Sequence, residues 1–171
     1  NNWKKITTSD VVLSWIEQGI KCPEYEHIEG FHLQNHKLSN TDKVFLRSEI
    51  RSLEKSNAIT KVPYKPLCVS PIGVVPKKNG KSRIITDLRK LNNYNQPPHF
   101  ISENIETVID YVKPQDYGIT IDLKNGYFHL ELAEESCKYF GFHFENSYYV
   151  WRVLPFGWNA SPFYFVKVIR E

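Results

Sequence analysis

Apolar residues recur along this chain at two spacings, and the switch from one to the other marks its elements. In TTSDVVLSWIEQG, residues 7–19, Val12 and Ile16 stand one helical turn apart behind a Thr/Ser cap, and Gly19 supplies the stop. SNTDKVFLRSEIRSLEKSNAI, residues 39–59, carries a longer helical stripe of Leu46, Ile50 and Leu53. Ile72 to Val75 and Arg83 to Thr86 are short apolar runs on either side of Asn79-Gly80, the signature of a hairpin turn. SENIETVIDYV, residues 102–112, predicts a helix capped by Ser102, with Ile105, Val108, Ile109 and Val112 facing inward. Alternation then returns. YGITIDLKNGYFHLEL, residues 117–132, opens as a strand that should bury Ile119, Ile121 and Leu123, with Asp122 on the other set of positions. A turn-rich stretch follows, then a strand in which Phe140, Phe142 and Phe144 alternate with Gly141 and His143. A turn at Asn146-Ser147 leads into the strand YYVWRV. Near the end, Ser161 reads as an N-cap and Pro162 as the first helical residue of an apolar-rich helix. Helices at the ends around mixed strands predict an α+β domain.

Composition narrows the reading. With 171 residues, 41% hydrophobic and 14% aromatic, the chain is long enough to bury a core and is not a disordered tail. Its three cysteines, Cys22, Cys68 and Cys137, are odd in number and far apart, which argues against a disulfide framework or a paired-cysteine metal knuckle and favours a reducing compartment. No apolar run approaches a membrane span and no secretory signal opens the sequence, so no membrane partner is expected. The sequence has no methionine and begins at Asn1, and both ends read as cut.

The net charge of +3 is a weak hint of a polyanionic partner. Its distribution says more. In VPKKNGKSRIITDLRKLNN, Lys77, Lys78, Lys81, Arg83, Arg89 and Lys90 face one acid, Asp87, and the hairpin places the first of these at a tip. A solvated charged face is the plain alternative. Asp122 poses a sharper question, because a carboxylate inside a burying strand is costly unless a charge or hydrogen-bond donors meet it. Standing alone, IDL would be read as a half-buried Asp satisfied by backbone N–H groups.

It does not stand alone. SPIGVVPKKNGKSRIITDLRKLN, ITIDLKNGYFHLEL and YYVWRVLPFGWNASPFYF, in that order, resemble the fingers and first palm motifs of reverse transcriptases from retroviruses and long-terminal-repeat retrotransposons. The resemblance covers residues 41–171, and the opening NWKKIT…VLSWIEQGI is similar to the lead-in of DIRS-type elements. It implies a right-hand polymerase fragment: a lead-in over 1–40, a fingers-like segment over 41–100 and an incomplete palm over 101–171. The implied activity is RNA-directed addition of deoxynucleotides to a primer 3′ end.

The resemblance assigns roles residue by residue. Asp122 matches the first catalytic carboxylate, and with the Leu123 carbonyl it would hold Mg2+ or Mn2+, hard ions that take oxygen ligands. Arg83 and one tip lysine, Lys78 or its neighbour Lys77, would contact the triphosphate, whose charge must be neutralised during transfer. Asn125 and Gly126 match the turn below the nucleotide. Tyr127 matches the ring that crowds the 2′ position, and a core aromatic is its bland alternative. Phe156 stands where retroviral enzymes carry glutamine, so packing would replace a polar contact. Lys81, Arg89, Gly157 and Trp158 match template and primer contacts. The implied partners are an RNA or DNA template with its primer, deoxynucleoside triphosphates, the remainder of the polymerase polypeptide and, through an exposed sheet edge, a second copy. The implied location is the cytoplasm, the nucleus or a virus-like particle. The family's second box, an aromatic-x-Asp-Asp, does not occur in these 171 residues, so the isolated chain is expected to be inactive. A non-catalytic module that binds nucleic acid or a protein is the alternative.

Overall fold

The computed structural model describes residues 2–76, 80, 82–101 and 104–171, with the backbone alone at Ile105 and Thr107. The first helix, α1 (Asp10–Gln18), is capped by the Ser9 hydroxyl, which accepts from the Val12 amide at 3.4 Å. It stops at Gly19, whose φ of 78° suits a residue without Cβ. A Cβ there would also lie 2.6 Å from the Ala133 backbone nitrogen, so the tight approach of the 130–133 segment demands the same residue. A two-residue strand β1 (Phe31–His32) leads to α2 (Asn40–Lys55). Ser39 and Asp42 close a reciprocal capping box at the start of α2, and Leu46, Ile50 and Leu53 are buried, as the stripe predicts.

Four further strands follow: β2 (Ile59–Val62), β3 (Cys68–Ser70), and the hairpin β4 (Ile72–Pro76) and β5 (Ser82–Thr86). The hairpin pairs Ile72 with Thr86 and Pro76 with Ser82, and its predicted Asn79-Gly80 tip lies outside the described residues except for Gly80. Beyond it come the one-turn α3 (Arg89–Asn92), α4 (Ile105–Ile109), the antiparallel β6 (Gly141–Phe144) and β7 (Ser147–Trp151), and α5 (Ser161–Ile169). The main sheet has the order β1-β3-β6-β7-β2 and is mixed, with β1, β3 and β6 parallel to one another. This is the expected α+β architecture.

Its core is aromatic. Phe142 stacks on Tyr149 with centroids 5.2 Å apart, and Tyr25, Phe140 and Trp158 form a second buried group. The amino-terminal segment belongs to this core. Trp15 meets Tyr164 edge-on at 4.9 Å, and the Thr7 hydroxyl donates to the Glu171 carboxylate. Cys22, Cys68 and Cys137 are buried free thiols. No helix of the described residues is long and apolar enough to cross a membrane.

Four expectations need correction. Residues 117–123 form no strand, and Ile119 and Ile121 are 90% and 83% exposed. Alternation supplies a face but not a partner, and no described strand pairs with this segment, so there is no ladder to hold it. Asp122 is consequently exposed, and no burial cost needs to be met. The helix predicted over 102–112 shrinks to α4, with Val108, Ile109 and Val112 exposed for want of a surface to cover; the Ser102 cap and the Ile105 side chain lie outside the described residues. The β6–β7 turn is Glu145-Asn146, one residue earlier than predicted, because Phe144 pairs with Ser147 and Glu145 takes the left-handed conformation. Ser161 is not the cap of α5. Ala160 is, and the Ser161 hydroxyl instead donates to the Pro155 carbonyl at 2.8 Å.

Candidate active site

Residues 121–127 fold along one wall of a cavity of about 410 Å³, because Asn125 takes a left-handed conformation (φ 54°) that asparagine tolerates. Its carbonyl accepts from the Phe128 amide at 2.8 Å, which starts the short 3-10 turn Gly126–His129. The cavity is lined by Ile121, Asp122, Leu123, Asn125, Gly126, Tyr127, Phe156, Phe165 and Ile169. Six positions singled out in the sequence thus meet in one place. Tyr127 packs on Phe156 and Phe165 at 4.9 and 5.3 Å, and burial raises its hydroxyl pKa above the ordinary phenol value. Its lining is aromatic at Tyr127, Phe156 and Phe165 and, among the described residues, carries a single carboxylate, Asp122.

Phe165 and Ile169 were missed by sequence reasoning. Their i, i+4 spacing on α5 was the available signal, but the helix is apolar on several faces and spacing does not say which one meets a cavity. An oxygen-ligated divalent ion fits here only in part. Asp122 and the Leu123 carbonyl are suitable donors, yet no group of three His, Cys, Asp or Glu side chains among the described residues is placed to hold a metal.

A second cavity, about 380 Å³, is lined by His36, Ile85, Thr86, Asp87, Leu88, Arg89 and Gly157. Asp87 organises it. Its carboxylate accepts from Arg89 Nε at 2.8 Å and Nη2 at 2.6 Å, a fork-to-fork pair, and His36 Nε2 lies 3.4 Å away. The Arg89 hydrogen bonds hold the Asp87 pKa down at about 2, and they raise that of Arg89. Gly157, at φ 98°, takes a conformation that glycine adopts readily, and a Cβ there would sit 3.1 Å from the Thr86 carbonyl. Asn92 fixes the loop by donating to the Gly157 carbonyl at 2.8 Å and accepting from the Asn159 amide at 3.1 Å. His36 carried no sequence signal, being a lone histidine in an unpatterned stretch.

The remaining positions fall elsewhere. Arg83 is exposed on β5 and is not among the described residues lining either cavity. Lys77, Lys78 and Lys81 lie outside the described residues. Trp158 is a correction: it is 2% exposed, stacks on Tyr164, and donates its indole N–H to the Tyr25 hydroxyl at 2.8 Å. It is a core residue with no surface left for nucleic acid, because a large ring with one donor is most stable where both are satisfied internally.

Comparison with known proteins shows the family and the fold. The family model described as reverse transcriptase (RNA-dependent DNA polymerase) matches residues 75–171. The chain is 36% identical over 97 residues to a putative enzymatic polyprotein of Cassava vein mosaic virus, covering 54% of this chain and 15% of that protein. It is 35% identical over 129 residues to the Gag-Pol polyprotein of Walleye dermal sarcoma virus, covering 74% and 7% respectively. Among solved structures, the foamy viral protease-reverse transcriptase in complex with double-stranded DNA superposes with a TM-score of 0.72 at 25% identity, over 83% of this chain and 25% of that one. The chain therefore spans only a small part of the length of the proteins it matches.

Proposed function

This chain belongs to the reverse transcriptase (RNA-dependent DNA polymerase) family, and from that premise we propose that it forms part of the site where a deoxynucleotide is added to a primer end. The observation that carries the reading is the first cavity, which Asp122, Leu123, Asn125, Gly126, Tyr127 and Phe156 line together. Asp122 and the Leu123 carbonyl are the donors that would hold Mg2+ or Mn2+. When bound, such an ion activates the attacking oxygen and neutralises phosphate charge. The chain's own residues do the positioning. Tyr127, braced by Phe156 and Phe165, presents a ring edge where a 2′-hydroxyl would have to fit. The 125–126 turn offers backbone amides to phosphate oxygens. Arg83 and the tip lysines supply cations, and Arg89 and Gly157 in the second cavity contact the template backbone. We assign residues 1–40 to the lead-in, 41–100 to fingers and 101–171 to palm.

A second reading, a module that binds nucleic acid without catalysis, is favoured by one observation: the cavity holds one carboxylate among its described residues. Both readings have these 171 residues inactive alone. Primer-extension assays of this chain, and of a polypeptide joining it to a segment with the Asp-Asp box, separate them. We expect no incorporation by the short chain and metal-dependent incorporation by the longer one. Asp122→Asn should abolish that activity while changing primer-template binding less than about twofold, since the ion acts on the transition state. Incorporation by the short chain that survives Asp122→Asn would overturn the assignment, and an inactive longer chain that still binds would favour the module.

A further inference from the structure

On the outward side of α2, Lys43, Arg47, Arg51 and Lys55 follow one another at four-residue intervals, and all four are exposed. Each step rises about 6 Å, so the row runs about 18 Å along the helix. Like charges at this spacing oppose each other by a few tenths of a kcal/mol per pair, and only Lys55 lies in the last turn, where the helix dipole favours a cation. The acids of α2 do not neutralise it. Asp42 is engaged by the Ser39 cap, while Glu49 and Glu54 are half-buried. The exposed positions beside the cations are Asn40, Thr41, Val44, Ser48 and Ser52. Arg47 pairs with Glu145 at 2.7 Å, whereas Lys43, Arg51 and Lys55 make no ion pair among the described residues.

We propose that this face of α2 is a track for the phosphate backbone of single-stranded nucleic acid, the unpaired template ahead of the primer. One row of cations suits one backbone. Its position suits this strand, because α2 packs on β5 and β5 runs directly into Asp87 and Arg89 of the second cavity. The inference rests on the proposed function and extends it to a helix face that is not among the described lining of either cavity.

The test compares the 171-residue chain with its Lys43→Gln, Arg51→Gln, Lys55→Gln triple variant, which keeps the Arg47–Glu145 pair. Affinity is measured against salt for a primer-template with a long 5′ overhang and for the same duplex made blunt. Three lost single-strand contacts should reduce the log-log salt slope by about 2 on the overhang substrate. Between about 50 and 200 mM salt the wild type then loses about 20-fold more affinity than the variant. Arg51→Gln alone should remove about a third of that slope change. The blunt duplex should bind both proteins alike. Matching far-UV circular dichroism and urea midpoints would show the variant folded, and an unfolded triple variant leaves the decision to the single one. A variant slope equal to wild type, or an equal loss on both substrates, would overturn the track alone. No binding by the wild type would overturn the proposed function and the track with it.

Discussion

Asp87→Asn offers a test in which the size and sign of the effect are both fixed by the structure. The Asp87 carboxylate meets Arg89 through two side-chain hydrogen bonds and the Arg89 amide, and these depress its pKa from 3.8 to about 2. A shift of nearly two units corresponds to about 2.5 kcal/mol in favour of the folded state. The Arg89 side chain is 84% exposed, so solvent screening brings the expected value to roughly 1–2 kcal/mol. Because the folded pKa is lowered, this stability is fully present above about pH 4 and is lost as pH falls through about 2. Urea denaturation of wild type and Asp87→Asn from pH 7 down to pH 2.5 reads it directly. The variant should be less stable by that amount at neutral pH, and the gap should narrow to about a third of that value by pH 2.5. Arg89→Gln should cost little in the Asp87→Asn background, because the partner is already gone. A gap that stays constant down to pH 2.5 would refute the reasoning and assign the loss to packing.

Two further outcomes are expected. Tyr25→Phe removes the acceptor of the buried Trp158 indole N–H and should destabilise the fold by about 1–3 kcal/mol in urea; an unchanged midpoint would show that the indole finds another partner. Tyr127→Val, in a polymerase that contains this chain, should raise kcat/KM for ribonucleotides relative to deoxynucleotides, and an unchanged ratio would show that the ring serves only packing.

Local chemistry was legible wherever one segment carried its own answer. The Leu46, Ile50, Leu53 stripe, the Gly19 stop and the pairing of β4 with β5 each depend on residues close in sequence, and each formed as expected. Residues 117–123 failed because a strand is a relation between two segments, and only one of them can be seen in a period of two. Trp158 failed for a related reason. LPFGWNASP announces a shaped loop, but nothing within it says that the tryptophan turns inward to Tyr25, 133 residues away in sequence. The sequence resemblance grouped Asp122, Leu123, Asn125, Gly126, Tyr127 and Phe156, and these residues line the first cavity together. Phe165, Ile169 and His36 reach the cavities by tertiary packing, for which sequence spacing is silent.

Phe156 and Gly157 are consecutive, yet they border different cavities. The peptide joining them is tethered at both ends: Asn92 holds the Gly157 carbonyl and Ser161 holds that of Pro155. A ligand in one cavity that displaced this peptide would change affinity in the other, and thermodynamic reciprocity would make the two changes equal.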